Sequence, residues 1–335
     1  MLAARRKPAR RPALGAGIFI AALLASAWIG SRTSGATPRP ARPAPPPGPA
    51  LMADGPQQAT WTSPTLPFPI GETSGVLWNL NTHQLIWALH PHQAGPLAST
   101  TKLMTAYLVL HHLPLNATVT VSPLAAATGG SDIRMQVGRK FTVHQLLYAL
   151  MLASANDSAV ALAQAEAGSE AAFVAQMNQE AQRLGLEQAH FADPDGLSPQ
   201  SRGTAWDLSI LAMRDMTNAV FRQVVATRHI SLPENRNVWN LNQLLFLDPS
   251  VIGIKTGWTD AAGFNVVFAA RREVDGRPVT LLGVLMHARY GFPPENADAE
   301  KVLNWGFQYV ARQEAAQAAA QAPHQRAGQS HQGGR

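Results

Sequence analysis

Strand-like and helical patterning are segregated along this chain, and that segregation limits the folds open to it. Starting near Ser74, the run Gly-Val-Leu-Trp-Asn-Leu-Asn-Thr-His-Gln-Leu-Ile-Trp-Ala-Leu-His holds two alternating apolar stretches joined by Asn79 to Gln84, which predicts a β-hairpin. Val251 to Lys255, Phe264 to Arg272 and Val279 to His287 are rich in Val, Leu and Phe and are separated by Gly and Asp-Gly turns, which predicts three antiparallel strands. Between these ends the period changes. Leu103, Met104, Tyr107, Leu108 and Leu110 recur at helical spacing from Thr100 to His112, and Pro114 stops them. Further helical patterns run from Val143 to Leu152, from about Ser158 to Ala167, and from Ser169 to Leu184, with Gly168 and Gly185 closing the last two. A final helix is expected from Ala297 to Val310. Strands at both ends of a helical middle must share one sheet, so the pattern reads as an α+β fold.

The termini do not belong to that body. Five basic residues within Met1 to Arg11 precede an uncharged run of 17 residues, Ala13 to Ile29. That is the order of a bacterial-type export signal, though the run exceeds the usual ~7–15 apolar residues and falls short of the ~20 that span a bilayer comfortably. Ser34 with Ala36, or Ala25 with Ala27, offers a cleavage site, so residues 1–36 read as a signal peptide or an uncleaved membrane anchor. Residues 37–69 contain 11 prolines and read as a semi-rigid tether. The folded body is expected over 70–311, followed by a disordered Ala/Gln-rich tail over 312–335.

Composition excludes several classes of function. The chain has 335 residues and no cysteine, which rules out disulfide scaffolds and thiolate metal sites. Its formal charge of +6 arises outside the body: residues 1–50 hold eight Lys or Arg and no acid, whereas residues 51–311 hold 16 basic and 20 acidic side chains. A nucleic-acid-binding body needs clustered excess cations, so that partner is excluded.

Three short motifs carry chemistry. Ser99-Thr100-Thr101-Lys102 puts an amine one helical turn from a serine hydroxyl, where a neighbouring base can take the hydroxyl proton. Ser154-Ala155-Asn156 lies at a break between two helical patterns, where a loop can aim a hydroxyl and an amide into a cleft. Lys255-Thr256-Gly257 ends an apolar strand, and Gly257 allows another backbone close to the strand edge. Each is weak alone, since Ser and Asn also cap helices. Together, 55 and 101 residues apart and in this order, they are the Ser-x-x-Lys, Ser-x-Asn, Lys-Thr-Gly set used by β-lactamases and penicillin-binding proteins.

The chain resembles the low-molecular-mass penicillin-binding proteins, the serine-type D-alanyl-D-alanine carboxypeptidases. Asp195-Gly196-Leu197, Lys255 to Asn265 and Leu303-Asn304-Trp305-Gly306-Phe307 carry the likeness beyond the three motifs. The resemblance implies a β-lactamase/transpeptidase-like fold, an antiparallel sheet flanked by helices plus an all-helical subdomain. It implies Ser99 as the acylated nucleophile, Lys102 as its base and Ser154 as a proton relay. Asn156, Lys255, Thr256, Gly257 and Trp258 are implied to bind substrate, with the backbone N–H groups of Ser99 and Trp258 forming the oxyanion hole. The implied partners are peptidoglycan stem peptides ending in D-Ala-D-Ala and β-lactam antibiotics as covalent inhibitors. The implied location is outside the cytoplasmic membrane. No metal or organic cofactor is required. His90, His92 and His144 read as solvated histidines, because no Asp-His-Ser arrangement is needed.

Two departures from the family pattern bear on the cleft. Trp258 stands where many relatives have a smaller or hydrogen-bonding ring, and Arg289 is only a weak candidate for an arginine near the substrate carboxylate. The body ends soon after Phe307, which leaves the N-terminus as the expected route to a membrane. A DD-endopeptidase would use the same residues. A β-lactamase of the kind that activates water with a Glu would need Glu-x-x-Leu-Asn between Asn156 and Lys255, and none occurs. A non-enzymatic muropeptide-binding module would predict a broken motif set, and all the motif residues are present.

Overall fold

The computed structural model describes residues 62–234, 236–289 and 294–329. Its centre is a five-stranded antiparallel sheet built from both ends of the body. Strands β1 (Ser74–Asn79) and β2 (Gln84–Leu89) make the early hairpin, and β3 (Val251–Thr259), β4 (Gly263–Val274) and β5 (Arg277–Ala288) make the late meander. The order across the sheet is β2-β1-β5-β4-β3. The two halves join where β1 pairs with β5, Ser74 opposite Met286 and Asn79 opposite Leu281. The α+β reading holds.

Alternation along the strands feeds two cores. Val76 and Trp78 of β1 face one core while Leu77 faces the other, and on β5 Leu282, Val284 and Met286 oppose Leu281 and Leu285 in the same way. The first core is shared with α1 (Lys102–His112), α2 (Val143–Leu152), α3 (Asn156–Ala167), α4 (Glu170–Leu184), α5 (Ala205–Asp215) and α6 (Ala219–Ala226). Short ladders, Thr118–Thr120 with Lys140–Thr142 and His229–Leu232 with Arg236–Trp239, accompany these helices. The second core lies under α7 (Pro294–Gln329), which contributes Val302, Leu303, Trp305 and Phe307. A Cβ at Gly306 would lie 2.5 Å from Leu77, so glycine lets α7 sit close on the sheet.

Local chemistry sets the helix ends. Thr142 and Gln145 exchange side-chain and backbone bonds in a capping box that starts α2. Gly168 and Gly185 adopt positive φ, 80° and 71°, and close α3 and α4 as expected.

Three boundaries differ from the sequence reading. Helix α3 begins at Asn156 rather than Ser158, because Ala155 is already extended and takes the N-cap position. Asn156 is therefore on a helix, not in a loop. Leu66, Phe68 and Ile70 pack on the second core, so the tether's last residues join the body. The helix expected to end near Val310 runs to Gln329, because Ala and Gln are strong helix formers. Residues 1–36, most of the tether and residues 330–335 lie outside the described residues. No helix among the described residues is long and apolar enough to cross a membrane.

Candidate active site

A 3-10 turn, Ala98–Thr101, leads directly into α1 and carries Ser99 at its second position. Ser99 is half-buried, while Lys102, the first residue of α1, has no exposed surface. Their positions in consecutive turns bring the two groups together, and Lys102 Nζ donates to Ser99 Oγ at 3.1 Å. The amine also donates to Asn156 Oδ1 at 2.7 Å and to the main-chain carbonyl of Asp195 at 2.6 Å. Asn156 is held in turn, its Nδ2 donating to Gly129 O at 2.7 Å and its backbone N to Ser131 O at 2.7 Å. Gly130, at φ 81°, lies between those two anchors, and a Cβ there would press on Asn156 Nδ2.

Burial lowers the Lys102 ammonium to about 8, against the opposing pull of Asp195, Asp193 and Asp157. Lys255 on β3 is also buried, its Nζ donating to its neighbour's carbonyl, Thr256 O, at 2.9 Å. Desolvation, and then the charge on Lys102, holds Lys255 well below the usual lysine range. The two buried amines are of like sign, and the charge on Lys102 disfavours a proton on Lys255.

Strand β3 meets the serine turn through Gly257. A Cβ at that position would lie 2.9 Å from both Ser99 N and Thr100 N, so only glycine lets the strand edge approach those backbone groups. Thr256 is buried beside it, and Trp258, the next residue, is half exposed. Ser154 sits at φ 58°, a left-handed conformation costly for a non-glycine residue, and its Oγ is buried with no hydrogen-bond partner among the described residues. Hydrogen bonds therefore join Ser99, Lys102 and Asn156, and the close approach of Gly257 adds β3, whereas Ser154 is bonded to none of them.

The remaining candidates lie apart. His90 and His92 are exposed, His92 against Trp206, and His144 is half-buried beside Tyr148. None of the three bonds to Ser99. Arg289 is exposed and lines a cavity of about 410 Å³ with Arg202, Asp260 and His287, at the sheet end beyond the serine turn. No group of side chains suited to a metal ion occurs among the described residues.

Two features were missed in the sequence. Asn265, fully buried on β4, donates through Nδ2 to Pro96 O and Leu97 O, each at 3.0 Å, and accepts from His287 N at 2.9 Å. It ties the sheet to the segment just before Ser99. The loop from Asp193 to Ser201 supplies Lys102's third partner, and Gly196, at φ 82°, lies so close to Ala98 O that no Cβ fits. An Asp-Gly pair at a turn signals such a loop, but nothing local signals what it touches.

Residues 61–289 match the family model described as D-alanyl-D-alanine carboxypeptidase. A D-alanyl-D-alanine carboxypeptidase of Streptomyces sp. strain K15 is 35% identical over 280 residues, covering 77% of this chain and 94% of that protein. A D-alanyl-D-alanine endopeptidase of Escherichia coli K12 is 31% identical over 244 residues, covering 70% of this chain and 77% of the relative. The crystal structure of a D-alanyl-D-alanine carboxypeptidase from Mycobacterium tuberculosis superimposes with a TM-score of 0.69 at 31% identity, over 73% of this chain and 94% of the other.

Proposed function

This chain belongs to the D-alanyl-D-alanine carboxypeptidase family, and from that premise we propose that it removes the terminal D-alanine from peptidoglycan pentapeptides through an acyl-enzyme on Ser99. The observation that carries the reading is the buried Lys102 amine, 3.1 Å from Ser99 Oγ, with its proton affinity lowered to about 8. A hydroxyl becomes a competent nucleophile when an adjacent base can take its proton, and a lysine does so only when part of its population is neutral.

In this mechanism Ser99 Oγ attacks the carbonyl carbon between the two D-alanines as its proton passes to Lys102. The backbone N–H groups of Ser99 and Trp258 stabilise the oxyanion. Ser154, whose buried hydroxyl has no hydrogen-bond partner among the described residues, relays a proton to the departing D-alanine amine. Asn156 holds the substrate amide, and Lys255 with Thr256 holds the terminal carboxylate. Water then hydrolyses the ester. A β-lactam presents a strained amide to the same serine and leaves it acylated. The enzyme works outside the cytoplasmic membrane, delivered there by the basic and apolar leader, which is cleaved or retained as an anchor.

Cleavage of D-Ala cross-links is the second reading, favoured by the likeness to the E. coli endopeptidase, since the same residues serve both reactions and cleft shape divides them. The test pairs the full chain with Ser99→Ala on a disaccharide pentapeptide ending in D-Ala-D-Ala, followed by mass. Loss of one D-alanine with the wild type alone supports the reading. No loss, with penicillin still bound at Ser99, redirects it to cross-linked dimers. No covalent penicillin at all overturns it.

A further inference from the structure

We propose that Asp195 is a positioning residue for Lys102: its main-chain carbonyl aims the amine, and its carboxyl sets the pH at which Ser99 is activated. The proposal rests on reading Lys102 as the base.

The geometry is specific. Asp195 is buried, and its carbonyl takes the shortest of the three bonds from Lys102 Nζ, 2.6 Å. Its carboxyl is turned elsewhere, accepting from Leu197 N at 3.0 Å and hydrogen-bonded to the carboxyl of Asp193. Asp193 is itself fixed, accepting from Gly196 N, Ser198 N and Ser201 Oγ. The loop cannot drift from the helix, because Thr105 Oγ1 of α1 donates to Pro194 O at 2.6 Å and Gly196 is pressed against Ala98 O.

The buried Asp195 carboxyl and the buried Lys102 amine form a linked pair in which gain or loss of a proton on one moves the other. The charged groups facing Lys102 are Asp193 and Asp195 from this loop, Asp157 from α3 and Lys255 from β3. Burial raises the Asp195 carboxyl to about 6, with Lys102 pulling it down and Asp193 pushing it up. When that carboxyl is ionised it stabilises the Lys102 ammonium and delays formation of the neutral amine. When it is neutral the amine releases its proton sooner. During acylation the Ser99 proton moves to Lys102 Nζ, so the carboxyl governs how much amine is ready to receive it.

Asp195→Asn keeps the main-chain carbonyl and an oxygen for Leu197 N while removing the charge. The acid limb of benzylpenicillin acylation, as a second-order rate against pH, is expected to move down by about one pH unit, the lower end for loss of a nearby opposite charge. Acylation one unit below the wild-type limb should then rise by up to about tenfold. An unmoved limb, or one moved upward, overturns the proposal, since a purely structural role would lower the rate without shifting the limb.

A second measurement does not depend on the variant's folding. The chain has five lysines, so the 13Cε signal of Lys102 is assignable by substitution, and in the wild type it should show an additional inflection near the Asp195 titration. Its absence refutes the coupling. Lys102→Ala separates the two readings: wild-type acylation by that variant removes the base assignment itself, whereas an inactive Lys102→Ala with an unmoved Asp195→Asn limb removes only the role of Asp195.

Discussion

Replacing Asn265 tests how the sheet holds the turn that carries Ser99. Its side chain makes three bonds, two to the carbonyls of Pro96 and Leu97 and one from His287 N, in a place with no access to water. Leu97 O keeps other partners, because Thr100 Oγ1 donates to it at 2.7 Å and Thr100 N at 3.3 Å. Asn265→Ala therefore takes a partner from Pro96 O and from His287 N, each on a half-buried residue, so that each loss costs about 1–2 kcal/mol, the lower part of the range for an unsatisfied buried group. A total of about 2–4 kcal/mol follows, which lowers Tm by about 5–10 °C for a body of this size. Benzylpenicillin acylation, measured well below Tm, should fall by at least about tenfold, since the released segment leads directly into Ser99. Asn265→Asp preserves the acceptor for His287 N but turns a second oxygen toward two carbonyls, so it should be worse than alanine. An alanine variant within about 1 kcal/mol of wild type, or an aspartate variant more stable than it, would refute the reasoning.

Three further outcomes are expected. Acylation of the free enzyme should rise with pH through about 8, as Lys102 loses its proton, and Lys102→Ala should lower it by about 10²–10⁴ at that pH; a flat wild-type profile would contradict the base assignment. Gly257→Ala should cut acylation at least about tenfold, because the new Cβ meets the Ser99 and Thr100 backbone at 2.9 Å and neither can yield as a flexible side chain would; a wild-type rate would remove the close-approach argument. Asp215 is buried with both carboxyl oxygens unpartnered among the described residues, and desolvation raises it well above the usual carboxylate range. Its folded form holds a proton that the unfolded chain releases, so wild-type stability should decline as pH rises from the ordinary aspartate value of about 4 toward the raised one. Asp215→Asn should remove this residue's part of that decline and raise the urea midpoint at neutral pH, with equal midpoints at neutral pH counting against the assignment.

Much of the fold was legible because period and punctuation agree. The alternation of β1 and β2, the late apolar runs and the glycines at 168 and 185 are local signals, and each marks an element the structure contains. The segment from Arg202 to Leu247, with α5, α6 and a hairpin, was not read, because its apolar positions follow no single period for long. In the site, the Ser99 to Lys102 contact was legible since one turn joins them, and so was the need for glycine at 257. The bond from Lys102 to Asp195 spans 93 residues and ends on a main-chain carbonyl, a group every residue owns, so no residue type announces it. Asn265 was invisible for a similar reason: its strand predicts burial, and only the bulge beside it, between Phe264 and Val266, turns its amide toward the serine segment.

The partners chosen for the two buried lysines explain how the site reconciles folding with activation. Taking an ammonium out of water costs several kcal/mol, and a contacting carboxylate is the usual way to offset it. Neither Lys102 nor Lys255 forms an ion pair among the described residues; both are bonded to neutral oxygens, carbonyls above all. A neutral oxygen accepts from an ammonium but holds its proton far less firmly than a carboxylate would. The arrangement stabilises the folded geometry while leaving the proton easy to lose, which the role proposed for Lys102 requires and an ion pair would prevent. Asp195 carries this division within one residue, giving Lys102 its carbonyl and directing its carboxyl to Leu197 N and Asp193. Had the carboxylate turned toward the amine, the loop would be anchored more firmly and Ser99 activated less.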